Sequence, residues 1–367
     1  MKQFDAIILG AGINGVSIAR ELQLRGKSVL VLEKRSIGSG SSSKSSKLVH
    51  GGLRYLENLE ISLVHEALKD RTYLVNHYPE LVHLEPFYLP IKNDSSRSPF
   101  KIRCGLALYD LLSFNSFGLD RSSNVSLMDF FHLFPRLDNT KIQAVFRYYD
   151  AKTNDLELTR QFASEAMSSG AVIVEGTTID RIDRGETHTI IEAGNQSYCT
   201  QALINATGPW VDEVNQEFQL PSRFRIQKVS GIHIEIESVL LPSPVILQTE
   251  SERIFFMIPS NNRLTIGTTE RSEIKECDEI TINEKDIDYL IKEANRYFRK
   301  PISKDDIVDQ YIGVRPIVHS QHDVTKSSRE YKLDLHKKGA NQLLHVFGGK
   351  LTTSLSLARK VAKRLSL

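Results

Sequence analysis

The sequence predicts an α/β protein of two units, a Rossmann-like dinucleotide-binding domain and an antiparallel β-sheet domain. Three observations carry this expectation. A glycine-rich turn, Gly10-Ala11-Gly12-Ile13-Asn14-Gly15, stands between an apolar run and a helical stretch. From residue 226 the texture changes to short β-rich runs separated by polar turns. The chain has 367 residues, more than one compact core usually holds.

Taken in order, residues 4–9 are an apolar run of strand length. The helix after the glycine turn sets Ile13, Val16, Ala19 and Leu22 on one side, and Arg25-Gly26 stops it. Residues 29–32 form a second buried strand that ends at Glu33. A serine-rich loop over 39–46 leads into His50-Gly51-Gly52-Leu53-Arg54-Tyr55, and a helix over roughly 59–76 carries Ile61, Val64, Leu68 and Leu74 at helical spacing. Residues 86–125 are mixed, with prolines at 86, 90 and 99 before an amphipathic stretch over 101–112. Residues 154–168 read as helix and 171–174 as strand, and the strand at 202–205 closes on Ala206-Thr207-Gly208-Pro209. Runs 226–237, 244–249, 253–259 and 263–269 read as antiparallel sheet, and 283–298 as helix. The chain ends on a strand at 343–347, the turn Gly348-Gly349 and a helix from Leu351. The expected division assigns 1–85, 150–222 and 310–367 to the dinucleotide-binding domain, and 86–149 and 223–309 to a substrate-binding domain.

Composition excludes several classes. Hydrophobic residues at 40% and charged residues at 25% describe an ordinary globular enzyme. Lys+Arg 47 against Asp+Glu 45 leaves +2, too mild for a dedicated nucleic-acid binder, so no nucleic-acid partner is expected. No apolar run approaches the length of a membrane span, and the N-terminus enters the first strand without a signal-peptide region, so a cytoplasmic location is expected. Cys104, Cys199 and Cys277 suggest neither a disulfide framework nor a metal pair. His65, His77, His83 and His132 read as helix or loop residues and His319-x-x-His322 as a polar loop, so no metal site is expected. Arg359, Lys360, Lys363 and Arg364 read as a solvated helix end whose charges complement the dipole.

The glycine turn carries the chemistry. Gly10 makes the turn, Gly12 admits a pyrophosphate to the backbone, and Gly15 lets the helix pack on the strand. The helix N-terminus supplies amide donors, and Glu33 can accept from ribose hydroxyls. Further glycine turns at Gly208 and at Gly348-Gly349 favour FAD over NAD, because the last precedes a helix able to face the flavin's pyrimidine edge.

The block Ser42-Ser43-Lys44-Ser45-Ser46-Lys47-Leu48-Val49-His50-Gly51-Gly52-Leu53-Arg54-Tyr55-Leu56-Glu57 resembles the signature of FAD-dependent glycerol-3-phosphate dehydrogenases. Asn205-Ala206-Thr207-Gly208-Pro209-Trp210, Ile266-Gly267-Thr268-Thr269, Gly313-Val314-Arg315-Pro316 and Phe347-Gly348-Gly349-Lys350-Leu351-Thr352-Thr353 extend the resemblance along the chain. It implies a glutathione-reductase-type FAD domain with an antiparallel substrate domain, as in relatives of D-amino-acid oxidase. It further implies FAD held by Gly10, Gly12, Asn14, Gly15, Glu33, Ser42, Ser43, Ser46, Lys47, Leu48, His50, Gly208, Gly348, Gly349, Lys350, Leu351 and Thr352. The implied reaction is oxidation of sn-glycerol 3-phosphate to dihydroxyacetone phosphate by hydride transfer to flavin N5. Arg315, Lys350, His50 and His233 are the catalytic candidates, with Arg315 and Lys350 directed at the reacting hydroxyl. Arg54, Tyr55, Thr269 and Arg329 are the substrate-binding candidates, with Arg54 and Arg329 directed at the phosphate.

The sequence departs from that family where Asp155-Leu156-Glu157 and Ser230-Gly231-Ile232-His233 each lack a basic residue, and a short form without the C-terminal helical domain is expected. Two alternatives stand beside the first reading: oxidation of another hydroxy acid or an amino acid, and a catalytically silent flavoprotein subunit. The expected partners are a small phosphorylated or carboxylate substrate and quinone or oxygen as acceptor. Peripheral contact at the inner face of a membrane is a further expectation. It rests on Lys92, Arg97, Lys101 and Arg103 beside a helical face of Ile102, Leu106, Tyr109 and Leu112.

Overall fold

The computed structural model describes residues 1–113, 121–138, 140–260, 262–318, 330–365 and 367. Alternation along the first strand decides the first half of the fold. In Lys2–Leu9, Ala6 and Ile8 face one core while Ile7 and Leu9 face another, and all four are buried. A strand buried on both faces belongs in the middle of a parallel sheet. It pairs in parallel with Val29–Leu32 on one side and Gln196–Asn205 on the other. Val172–Val174 extends the sheet beyond Val29–Leu32, and Asn341–Phe347 extends it beyond Gln196–Asn205. Lys332–Lys338 closes that edge antiparallel, and Arg181–Arg184 with Thr189–Ala193 form a side meander. The helices Ile13–Gln23, Asp155–Ser168 and Ser354–Arg364 pack through Val16, Phe162 and Val361 onto the face that carries Ala6 and Ile8.

Among the described residues the second sheet has ten strands, with Ser123–Val125 paired beside Ile142–Thr153. Arg271–Glu273, Ile226–Ile236, Arg263–Gly267, Ile254–Ser260 and Val245–Gln248 lie in that order, followed by Val82–Lys92, Ile142–Thr153 and Leu48–Val49. Ile307–Val318 runs antiparallel along the whole of Ile226–Ile236. One face packs on Glu284–Asn295 and Leu127–Leu133 through Leu290 and Phe130. The other packs on Ile61–His77 and Pro99–Leu112 through Leu68 and Leu106. The antiparallel insert expected from residue 226 onward is present, as are the β-α-β unit at the start of the chain and the strand-turn-helix at its end.

Four expectations change. Residues 86–125 are not merely mixed, because Val82–Lys92 is a strand despite Pro86 and Pro90. Tyr88 N donates to Pro244 O, 3.0 Å, so every second nitrogen of this strand points away from Ile142–Thr153. Both prolines share that parity, and the strand on that side pairs only at Tyr88. No ladder bond is lost.

The second change concerns the division of the chain. Leu48–Val49 and all of Ile307–Val318 pair in the second sheet, although residues 48–49 and 310–318 fall in the first unit of the sequence division. Strand pairing across long sequence separations has no local signal.

The third concerns the membrane-facing patch. Leu106 and Tyr109 lie in the interior, with Ile102 and Leu112 packed beside them. Lys92 is buried, its Nζ 3.8 Å from the Tyr297 ring centroid and 3.0 Å from Arg296 O. Arg97 pairs with Glu57 at 2.6 Å. The apolar face proposed for lipid is thus spent on the core. Among the described residues no helix is long and apolar enough to cross a membrane. The cations of the last helix are likewise not simply solvated: Lys360 pairs with Glu66, and Arg364 donates to Leu333 O at 2.7 Å.

Candidate active site

A cavity of about 500 Å³ runs between the two sheets, beyond the carboxyl ends of Lys2–Leu9 and Val29–Leu32. Gly10 opens its floor with φ +94°. A Cβ at Gly15 would collide with Gly10 O, so that glycine lies behind the turn and seats the helix. A Cβ at Gly12 would meet only Ser42 Oγ, at 3.2 Å, and would otherwise stand in the cavity. Ser42 Oγ also accepts from Ile13 N at 2.9 Å, which fixes the serine loop over the helix N-terminus. Glu33 lines the cavity, with Oε2 accepting from Ala11 N at 2.7 Å and Oε1 from Arg35 N at 2.8 Å. Each oxygen retains a lone pair for a ribose hydroxyl.

The opposite wall comes from the chain's last loop. Gly348 and Gly349 take φ +79° and +102°, and Gly348 O accepts from Asn14 Nδ2 at 3.4 Å. Thr352 Oγ1 accepts from His50 N at 3.2 Å, joining this loop to the His50-Gly51-Gly52 turn. Leu351, Thr352, Gly208, Leu48 and Ser46 complete the wall on this side. Asn14 Oδ1 and Lys350 Nζ, both on cavity-lining residues, are buried with no hydrogen-bond partner among the described residues. Orphaned polar groups at both ends of a glycine cradle are what an extended dinucleotide satisfies. The residues present fit FAD.

The cationic end of the cavity lies on the second sheet. His233 is buried, its ring stacked on Tyr311 at 4.8 Å and its Nε2 2.9 Å from Ser46 Oγ. Burial, then the charges of Arg315 and Lys47, push its pKa down to about 3. Arg315 donates to Thr268 Oγ1 at 2.7 Å and stands 3.7 Å from the Glu270 carboxylate. Lys350 Nζ lies 3.8 Å from the centroid of Tyr55. His50 lies across from Tyr55 at 6.5 Å, and burial followed by Lys350 and Arg71 lowers its pKa against the pull of Asp150.

All four catalytic candidates therefore line one cavity: His50, His233, Arg315 and Lys350. Tyr55 joins them, but the other substrate-binding candidates do not. Arg54 is half-buried outside the wall. Thr269 Oγ1 is buried and accepts from Ile232 N at 3.1 Å, so it braces the sheet. Arg329, like His319 and His322, lies outside the described residues. Of the cofactor candidates, Ser43 and Lys47 are also off the wall: Ser43 Oγ donates within its own loop to Gly40 O, and Lys47 Nζ faces Tyr311.

Several residues at or behind the wall were not among the candidates. Tyr311 stands behind the wall, stacked on His233, on the Ile307–Val318 strand. Lys44 lines the wall with Nζ 5.9 Å from the Tyr311 ring. At the far end Arg35 pairs with Asp278 at 2.8 Å and sits 5.7 Å from the Trp210 ring, while Trp210 Nε1 donates to Asp278 Oδ1 at 3.0 Å. Trp210 was findable as the chain's one tryptophan, directly after the Gly208-Pro209 turn.

The model of the family described as "DAO: FAD dependent oxidoreductase" matches residues 5–364. The aerobic glycerol-3-phosphate dehydrogenase of Escherichia coli K12 is 36% identical over 382 residues, covering 100% of this chain and 74% of that protein. The D-erythritol 1-phosphate dehydrogenase of Brucella abortus is 33% identical over 98% of this chain and 73% of its own length. Among solved structures, the FAD complex of the Bacillus halodurans glycerol-3-phosphate dehydrogenase superposes with TM-score 0.78 at 23% identity, over 100% of this chain and 64% of that one. The glycine oxidase of Geobacillus kaustophilus superposes with TM-score 0.77 at 18% identity, over 100% of this chain and 96% of that one.

Proposed function

As the chain belongs to the FAD-dependent oxidoreductase family, with FAD as its cofactor, we propose that its reaction is the oxidation of sn-glycerol 3-phosphate to dihydroxyacetone phosphate. Lys350 carries the proposal. Its Nζ has the Tyr55 ring at 3.8 Å but no hydrogen-bond partner among the described residues, and it stands on the cavity wall, where an oxygen of a bound ligand can accept from it. An alcohol becoming an alkoxide beside it accepts most strongly in the transition state. The relatives named for polyol phosphates at 36% and 33% identity support the same substrate class.

FAD, which the Gly10–Gly15 turn, Glu33 and the loop at 348–352 would hold, would supply the hydride acceptor for the hydrogen on C2 of the substrate. Lys350 and Arg315 hold the C2 oxygen and take up the charge that develops on it. His233 receives the hydroxyl proton, since a ring whose pKa lies at about 3 is neutral at pH 7 and keeps a lone pair. A substrate dianion would offset only the part of that depression due to Arg315 and Lys47, since burial is its first cause. His50, also shifted down, is neutral at pH 7 and can donate or accept one hydrogen bond to the substrate. Lys44 is a further wall cation open to a phosphate, beside the phosphate candidate Arg54, which stands off the wall; Arg329, outside the described residues, keeps only the phosphate role that the resemblance implies. In this reading the loops of the parallel sheet would hold FAD, and the strands of the antiparallel sheet would face the substrate. The electrons pass on to a quinone or to oxygen, in the cytoplasm or at its membrane face.

Anaerobic bleaching of the purified flavoprotein tests the reading. sn-Glycerol 3-phosphate should bleach the flavin within the mixing time at millimolar concentration, and lactate, glycine and unphosphorylated glycerol should not. Bleaching by a hydroxy acid or amino acid alone would replace the phosphate assignment.

A further inference from the structure

The Ile61–His77 helix contributes no residue to the cavity wall, yet it carries two adjacent charged residues that are almost wholly buried, Asp70 at 0% and Arg71 at 2% exposure. Burying charge without a ligand to bind is costly, and both residues spend it on bonds directed at the site's two loops. Arg71 donates to Asp150 Oδ1 at 2.9 Å and to Tyr149 O at 2.7 Å. Asp150 Oδ1 in turn accepts from Gly51 N at 3.1 Å and from Tyr109 Oη at 2.7 Å. The residue before Gly51 is His50. Asp70 accepts from Ser356 N at 2.9 Å and from Ser356 Oγ at 2.8 Å, and stands 3.6 Å from Arg359. Ser356 belongs to the first turn of the helix that follows residues 348–352. The two loops touch each other through His50 N and Thr352 Oγ1, and through Lys350 over Tyr55.

We propose that Asp70 and Arg71 are the positioning residues of the site, Arg71 acting through Asp150 and Gly51 on His50, and Asp70 acting through Ser356 on the loop that carries Lys350. The pair Arg71–Asp150 also sets the local field, because its two charges cancel directly behind the His50-Gly51 turn. The inference rests on the flavin reading of the cavity and is independent of which substrate is oxidised.

The test is the midpoint potential of the bound FAD in the holoenzyme, measured by dye-equilibrated reduction without substrate. Reduced flavin carries negative charge. Arg71→Met removes a cation and should lower the potential, whereas Asp150→Asn uncovers Arg71 and should raise it. Asp70→Ala should weaken FAD binding about tenfold, the equivalent of one lost charged hydrogen bond, and Asp70→Asn should restore it because the amide oxygen still accepts from Ser356. Asp334→Asn is the control. Asp334 is equally buried, on the Lys332–Lys338 edge strand with Arg223 and His336, and its variant should lower the melting temperature without moving the potential.

Shifts of the same sign in Arg71→Met and Asp150→Asn overturn the proposal, because a scaffold that merely loosens has no sign. An equal shift in Asp334→Asn overturns it too. If the charge variants do not fold, Tyr109→Phe removes only the hydroxyl between Gly51 and Asp150. It should alter the visible circular dichroism of the flavin, and an unchanged spectrum overturns the proposal. Failure of sn-glycerol 3-phosphate to bleach the enzyme refutes the substrate assignment and leaves these measurements standing.

Discussion

His233 and His345 are both buried and held neutral, with pKa values lowered by burial to about 3 and about 4. In the unfolded chain each titrates near 6.5. Below that value the unfolded state binds more protons than the folded one, so stability is full above about pH 6.5 and falls as pH drops toward the folded values. Each histidine contributes a slope of about 1.4 kcal/mol per pH unit in that window. Urea midpoints at about pH 7 and pH 5 should therefore fall steeply in the wild type. They should fall less in His345→Gln, which removes one proton uptake while leaving the cavity wall alone. Parallel slopes in the two proteins would contradict the neutral state of His345. Asp70 and Asp155 work in the opposite sense, because burial raises their carboxyl pKa values; they are present in both proteins, so their contribution cancels in the comparison. At the same scale, Lys350→Met and Arg315→Gln should retain FAD but slow anaerobic flavin reduction roughly a hundredfold each, the cost of about 3 kcal/mol of lost charge stabilisation. Undiminished reduction rates would remove both from the reacting oxygen.

At the scale of elements, the glycine turn separates two requirements that look alike in the sequence. Gly15→Ala places a methyl on Gly10 O and pushes the Ile13–Gln23 helix off its strand, so its melting temperature should drop even without cofactor. Gly12→Ala meets only Ser42 Oγ, so the apoprotein should melt as the wild type does, with FAD binding lost. Equal melting of the two apoproteins would show that Gly15 is not the packing glycine. This turn was legible because strand, turn and helix are contiguous and each signal is local. The Pro99–Leu112 helix shows the opposite case. Its amphipathic face suited both a membrane and a core, and only the packing of Leu106 and Tyr109 decides between them. Leu106→Ala should cost about 2–5 kcal/mol in urea unfolding, as a buried leucine does; a surface-facing leucine would cost under 1 kcal/mol.

For the whole molecule, the cavity lies between the sheets, and its wall draws on both. Gly12 and Glu33 belong to the first sheet's loops, while His233 and Arg315 stand on strands of the second. A ligand that binds only the folded state adds RT ln(1 + [L]/Kd), about 2.7 kcal/mol at a hundredfold excess over Kd. Removing FAD should therefore lower the melting temperature of the whole chain, and adding FAD back should restore it in a concentration-dependent way. A melting temperature indifferent to FAD would place the cofactor outside the inter-sheet cavity.

What the sequence alone determined was everything whose physics is local: the β-α-β start with Gly10, Gly12, Gly15 and Glu33, the antiparallel insert from residue 226, and the blocks holding His50, His233, Arg315 and Lys350. Those residues lie up to 300 positions apart, and the blocks named them without placing them. The tertiary structure alone decided that all four line one wall, that Thr269 braces a strand, and that Arg54 stands off the cavity. It also turned Lys92 inward and put Leu48–Val49 and Ile307–Val318 in the second sheet. The reason is that register between distant strands and burial of a side chain depend on which surfaces meet. A run of neighbours in the chain contains the propensities for a strand or helix but not the identity of the surface packed against it.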